Sequence, residues 1–297
     1  MKKVVVGLGV VVIAGVGGYY GLNAHATAKA KENLDAAITQ FETESNGEVS
    51  YGSLNVNPFS KVTVIENVDF KGADGTSGTV DSIQVTGLTD KKTVPDSMSI
   101  QFDNIRLDDQ AQFQQMKKEF PFVEEFVLDF GLEYNFDEKT GLHTSSISGG
   151  VDELFSFKGG VDLGNIADVW NEVKLAAKEE RDFNSKGVEP AQITIENLNF
   201  TMIDNGVMNG MVSMQAEKSG MTIEEVRGQA LEEFDRDRTL PDSVKPELRK
   251  VIAGEATELN VTLTPKEAFP VAAVPMLAFV PNKERIIDEL NMTVKAK

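Results

Sequence analysis

The chain contains no cysteine. Disulfides, thiolate metal centres, iron–sulfur clusters and cysteine nucleophiles are excluded together, and the fold has to stand on its apolar core. Histidine is almost as scarce: His25 and His143 are the whole supply and lie far apart in the sequence. A histidine-based metal site is therefore not expected, and neither is any other cofactor. Positive charge is in deficit, with 29 Lys and Arg against 47 Asp and Glu, a formal net charge of −18. So acidic a surface repels nucleic-acid backbones and anionic headgroups, which argues against sequence-independent DNA or RNA binding; the same charge also keeps a chain soluble.

Catalytic motifs are missing too. The chain has no G-x-S-x-G, S-x-x-K, H-E-x-x-H or G-x-x-x-x-G-K, the patterns that mark nucleophile elbows, acyl-transfer serines, zinc sites and phosphate loops. Gly7-Leu8-Gly9 starts a dinucleotide fingerprint, but Val12 holds its third glycine position. Carboxylate pairs are numerous (Asp108-Asp109, Glu124-Glu125, Glu179-Glu180, Glu232-Glu233), and each falls on the polar side of a helical pattern, where a solvated face explains it. A glycosidase carries its acid and base on distant segments, but no feature of this chain points to one. A non-enzyme is expected.

The N-terminus opens with Lys2 and Lys3, followed by an uncharged stretch over residues 4–22. As a helix it would be about 28 Å long, against a hydrocarbon core of roughly 30 Å, and the lysines ahead of it predict export of the rest of the chain. Two readings stand. Residues 1–26 form an uncleaved membrane anchor, the membrane being then a partner through residues 4–22, or they form a signal peptide cut after Ala24-His25-Ala26. The expected location is accordingly the bacterial inner membrane with the bulk of the chain in the periplasm, or the periplasm itself.

Beyond it, residues 27–45 read as an amphipathic helix with Leu34, Ala37, Ile38 and Phe41 on one face, closed by Asn46-Gly47. Strand patterns occupy 48–56, 61–70, 78–86, 97–107, 126–136, 141–148, 154–163, 192–202 and 258–264. Helical patterns cover 108–126, broken at Pro121, and 165–181, 205–218, 222–236 and 243–253, with a closing helix and strand from Lys283. Thr222-x-x-Glu225 is a capping box, and Ile223, Val226, Ala230 and Phe234 give its helix an apolar side. Asp137 to Gly141 is a hairpin turn, since the ligand pattern of a calcium loop is incomplete. Strands in direct succession predict the α+β class: curved, mainly antiparallel sheet or sheets with amphipathic helices, behind the N-terminal membrane segment. The expected divisions are 1–26, 27–187 and 188–297, the last a candidate repeat of the second.

One strand pattern recurs as apolar–acid–Asn–apolar–x–apolar, at Ile65-Glu66-Asn67-Val68-Asp69-Phe70, Phe102-Asp103-Asn104-Ile105-Arg106-Leu107 and Ile195-Glu196-Asn197-Leu198-Asn199-Phe200. In the second and third copies the inward phase switches at the acid–Asn step, which requires an extra residue, and a bulge at Asn supplies it. The first copy is ambiguous, because Val62, Val64, Val68 and Phe70 keep a single phase. Such a sheet either packs an ordinary core or leaves one face apolar for a ligand.

The opening of the exported part, Tyr51-Gly52-Ser53-Leu54-Asn55-Val56-Asn57-Pro58-Phe59-Ser60 ahead of a strand ending in Glu66-Asn67-Val68, resembles the YdgA-like family of bacterial envelope proteins within the wider AsmA-like group. Thr222-Ile223-Glu224-Glu225-Val226, Pro265, Pro275 and the terminal Glu289-Leu290-Asn291 strand fit the same resemblance. It implies an inner-membrane anchor, a β-rich periplasmic body and a role in envelope or lipid handling, and it carries over no catalytic residues.

The candidate binding segment is 268–280, uncharged and interrupted by Pro270 and Pro275. Such a stretch is buried, lines a groove or touches a membrane. Phe269, Val271, Val274, Met276, Leu277 and Phe279 are the expected lining of an acyl-chain groove. The function this supports is a membrane-tethered periplasmic protein that binds a hydrophobic ligand or lipid without catalysis. The alternative is an envelope scaffold with a closed core whose acidic face recruits proteins.

Overall fold

Helix α1 (Thr27–Ser45) forms where the sequence spaces its apolar residues by helical turns, and Ala30, Leu34 and Phe41 are buried along one side of it. It stops at Asn46, which takes a left-handed conformation (φ 53°) and donates its N–H to the Glu42 carbonyl at 3.0 Å. The computed structural model describes residues 27–57, 60–73, 75–87, 94–108, 116–179, 181, 192–237, 239–277 and 283–297. The expected anchor or signal peptide, residues 1–26, lies outside them. Among the described residues no helix is long and apolar enough to cross a membrane. The expectation of a transmembrane helix is corrected to that extent: α1 is long enough, but Lys29, Lys31, Glu32, Asp35 and Glu42 interrupt it.

After α1 the chain lays down β1 (Glu48–Asn57), β2 (Val62–Lys71), β3 (Ser77–Thr86), β4 (Ser97–Leu107), β5 (Val127–Asp137), β6 (Leu142–Val151) and β7 (Phe155–Gly164). Helix α2 (Ala167–Lys178) precedes β8 (Thr194–Asp204), and α3 (Val207–Ser219), α4 (Ile223–Arg236) and α5 (Lys245–Ala253) come after it. Then come β9 (Glu258–Leu263), β10 (Phe269–Pro270), a 3-10 turn (Val271–Ala273), α6 (Val274–Leu277), α7 (Lys283–Glu289) and β11 (Met292–Ala296). The class is α+β. Among the described residues eleven strands form one sheet in the order β1 to β9 and then β11, with β10 beside β8, and the sheet is not closed. The registered pairings from β1 to β5 and from β6 to β11 are antiparallel, as expected where strands succeed one another through short turns.

The chain divides into two compact units: residues 1–119, 125–136 and 169–184, and residues 120–124, 137–168 and 185–297. In the first, α1 lies over the sheet, and Leu34 and Phe41 close a core with Val68, Phe70, Val80, Ile83, Val85, Ile100, Phe102 and Ile105. Phe102 is only 1% exposed. Tyr51 reinforces the cover by donating its hydroxyl to Asp35 Oδ1 at 2.6 Å, and burial together with that carboxylate raises the phenol's pKa. Trp170 of α2 packs against Tyr134 and Phe136, ring centroids 5.4 and 5.3 Å away, and donates its indole N–H to Asp96 Oδ1 at 3.1 Å. Lys174 reaches the same carboxylate oxygen at 2.6 Å.

The recurring motif marks the irregular line through this sheet. Asn67 and Asn104 take positive φ, 53° and 55°, a region that asparagine tolerates better than other side chains. Register slips between Phe102 and Ile105 in the β4–β5 pairing, where Asn104 N–H donates to Asp129 Oδ1 at 2.8 Å. The first copy proves to switch phase as well. Thr63 and Ile65 are buried before it and Val68 and Phe70 after it, while Val62 and Val64 are only half-buried. Gly52 lies across from Asn67, and a Cβ there would stand 3.1 Å from the Asn67 Cβ, so the close approach favours glycine. In β8 the pairing passes from Asp162–Asn197 to Leu163–Ile195 and leaves Glu196 over.

In the second unit α3, α4 and α5 pack in succession, and α5 meets β9 and β11, where Glu247 Oε2 accepts the Ala296 N–H at 2.8 Å. The capping box opens α4: Thr222 Oγ1 accepts from Glu225 N–H at 3.2 Å, and Glu225 Oε2 accepts from Thr222 N–H at 2.8 Å. Of the expected apolar side only Val226 is buried, while Ile223 and Ala230 are exposed and Phe234 is half-buried. Hydrogen bonds from Thr222 hold the Glu225 pKa below the usual glutamate value of 4.5. A depressed carboxyl pKa adds stability that is present above the unfolded value and is lost as pH falls through the folded value. Thr222→Ala removes the N-cap side chain and, by that loss alone, should cost about 1 kcal/mol at neutral pH. The difference from wild type should shrink below pH 4.5, and a gap that widens on acidification in urea titrations would contradict this assignment.

Candidate functional site

Residues directly opposite each other in an antiparallel pair project from the same face. Tracing the register from β6 to β11 in the second unit therefore sorts its side chains into rows that run across the strands. One row is Ile147, Gly159, Phe200, Val261 and Val294. On one side of it runs Ser145, Val161, Leu198, Leu263 and Met292, and on the other Gly149, Phe157, Met202, Leu259 and Ala296. Past the bulge at Glu196, His143, Leu163, Ile195 and Phe269 make a further row. This face is apolar except for His143, Ser145 and, beside Phe155, Asp204. The reverse face carries Ser146, Ser148, Lys158, Asp162, Asn199, Thr201, Asn260, Thr262 and Thr293, as strict alternation dictates.

Apolar residues on one sheet face normally mean a core, but here they are not buried. Ile147 is 39% and Phe200 37% exposed, and every other side chain of the four rows is half-buried. Only the side-chain-free Gly159 is buried. A Cβ built on it would touch Ile147 Cγ2 at 3.4 Å and Phe200 Cδ2 at 3.5 Å, so the two flanking side chains cover its backbone. The Phe157 and Phe200 rings stack on one flank, centroids 6.4 Å apart and 23° from parallel.

At the β6 margin the His143 Nε2 and Ser145 Oγ are hydrogen-bonded at 2.7 Å. Burial lowers the His143 pKa, which keeps the ring neutral at neutral pH. At the far end Asp204 Oδ1 accepts from Gly206 N–H at 3.0 Å and Met208 N–H at 3.2 Å, which occupies it in starting α3.

The structure brings one of the residues singled out in the sequence onto this face, Phe269, which pairs with Ile195 and is half-buried. Val271 begins the 3-10 turn, its N–H donated to the Ile193 carbonyl at 2.9 Å, and is exposed. Val274 and Met276 are exposed and Leu277 half-buried in α6; Phe279 lies outside the described residues. No residue from Phe269 to Leu277 is buried. Phe200 belongs to the recurring motif, whereas Ile147, Phe157 and Val261 were not singled out; all four leave an alternating signal, but alternation is the same for a closed core and an open face. Among the described residues no group of histidines and carboxylates is placed to hold a metal ion.

A family model described as "Uncharacterized protein" matches residues 148–297, a span that holds most of this face. No curated protein matches the chain.

Proposed function

This chain belongs to that family of uncharacterized proteins, and we propose that it is a non-enzymatic protein of the bacterial envelope that binds a hydrophobic ligand on the open sheet face of its second unit. The observation that carries the reading is the exposure of Ile147 and Phe200 on either side of Gly159, in the middle of an otherwise apolar face. An apolar surface left open in a chain of net charge −18 is held in water at a cost, and covering it with an acyl chain removes that cost. The envelope setting rests on the resemblance of residues 51–60 to YdgA-like proteins and on the export pattern of residues 2–22. A protein partner seated on the same face is the competing occupant.

Native mass spectrometry of the purified full chain tests the reading. Lipid-sized adducts that organic extraction removes are the expected result. A spectrum with no adduct above a detergent-matched control, together with no binding of an apolar fluorescent probe, overturns it.

A further inference from the structure

We propose that the ligand is a neutral long-chain amphiphile of the monoacylglycerol type, its hydroxyl-bearing head on Ser145, which His143 orients, and its chain running across the strands over Val161, Leu198 and Leu263. The inference rests on the reading of this face as a ligand site and adds the ligand's class and orientation. The row that starts at Ser145 is apolar from there to Met292 and spans four strand spacings, about 19 Å, a length suited to one extended acyl chain. Its polar end is Ser145, hydrogen-bonded to His143 of the neighbouring row, so a head placed there leaves the tail on apolar residues throughout.

The chemistry of Ser145 selects the head. His143 Nε2 is spent on Ser145 and its Nδ1 is buried, so the group that meets the head is the serine hydroxyl, which both donates and accepts and matches hydroxyl and ester groups. A carboxylate or phosphate would need a cation. The four rows carry no lysine or arginine; Lys158 projects from the reverse face, and the chain's net charge of −18 repels an anion.

The full-length protein is titrated with three probes: monopalmitoylglycerol, palmitate, and diphenylhexatriene, which has an apolar body and no head. Monopalmitoylglycerol should bind about tenfold tighter than palmitate, and Ser145→Ala with His143→Ala should remove about a tenfold margin while leaving diphenylhexatriene binding unchanged. Ser145→Thr, which keeps the hydroxyl, should restore the serine's share and guards against a folding artefact. Equal or tighter binding of palmitate overturns the proposal, as does an unchanged monopalmitoylglycerol affinity in the double variant. In both of those cases diphenylhexatriene still binds and the open face stands as a ligand site. Failure of all three probes to bind removes the site and the proposal with it.

Discussion

Phe102→Ala should lower stability by about 3–5 kcal/mol, whereas Phe200→Ala should cost about 1 kcal/mol. Both are phenylalanines on the apolar side of an antiparallel strand, each within a copy of the same motif. The difference is cover. Phe102 lies in a core closed by Leu34 and Phe41 of α1, tilted against Phe130 with centroids 6.1 Å apart, and its removal leaves a cavity that close-packed neighbours fill only in part. Phe200 already meets solvent over 37% of its surface, so truncation forfeits only its contact with Phe157 and the neighbouring rows. Urea titration of the two variants measures this directly. Should the two units unfold in separate steps, Phe102→Ala moves only the step of the first. Equal costs for the two substitutions would mean that the second face is closed, and the ligand site would fall with it.

The other large effect is on binding. Ile147→Asp combined with Phe200→Asp should weaken an apolar probe by about a hundredfold or more, because the ligand loses the two exposed apolar side chains that cover Gly159 and must also desolvate two carboxylates. Folding should survive, since both side chains are exposed and replacing surface apolar atoms by charge is well tolerated. Circular dichroism and the urea midpoint check the fold, and fluorescence titration with diphenylhexatriene checks the site. Wild-type affinity in this variant would locate the hydrophobic binding elsewhere.

Much of the architecture was legible from local pattern. The apolar spacing of residues 27–45 and the Asn46-Gly47 stop correspond to α1 at the same bounds, and β4 spans the expected 97–107. The phase switch at Asn104 marks a real slip in register. These features depend on residues within a few positions of one another, where backbone sterics and side-chain periodicity act directly. The first motif copy was ambiguous because Val62 and Val64 mimic an inward phase, and only the buried pair Thr63 and Ile65 resolves it. Segment 268–280 drew notice for lacking charge, yet composition does not say what lies over a residue, and among its described members Phe269 alone pairs onto the apolar face.

Local chemistry thus determined which residues are strand or helix, where the strands bulge, and which side chains share a face. Tertiary structure alone decided which apolar face is covered. In the first unit Leu34 and Phe41 reach across from α1 and cover β2 to β4, leaving Leu132 of β5 exposed, while in the second Ile147 and Phe200 remain in solvent. Alternation along a strand is identical in the two cases, because it records the side from which a residue projects, whereas burial depends on an element supplied from far away in the chain.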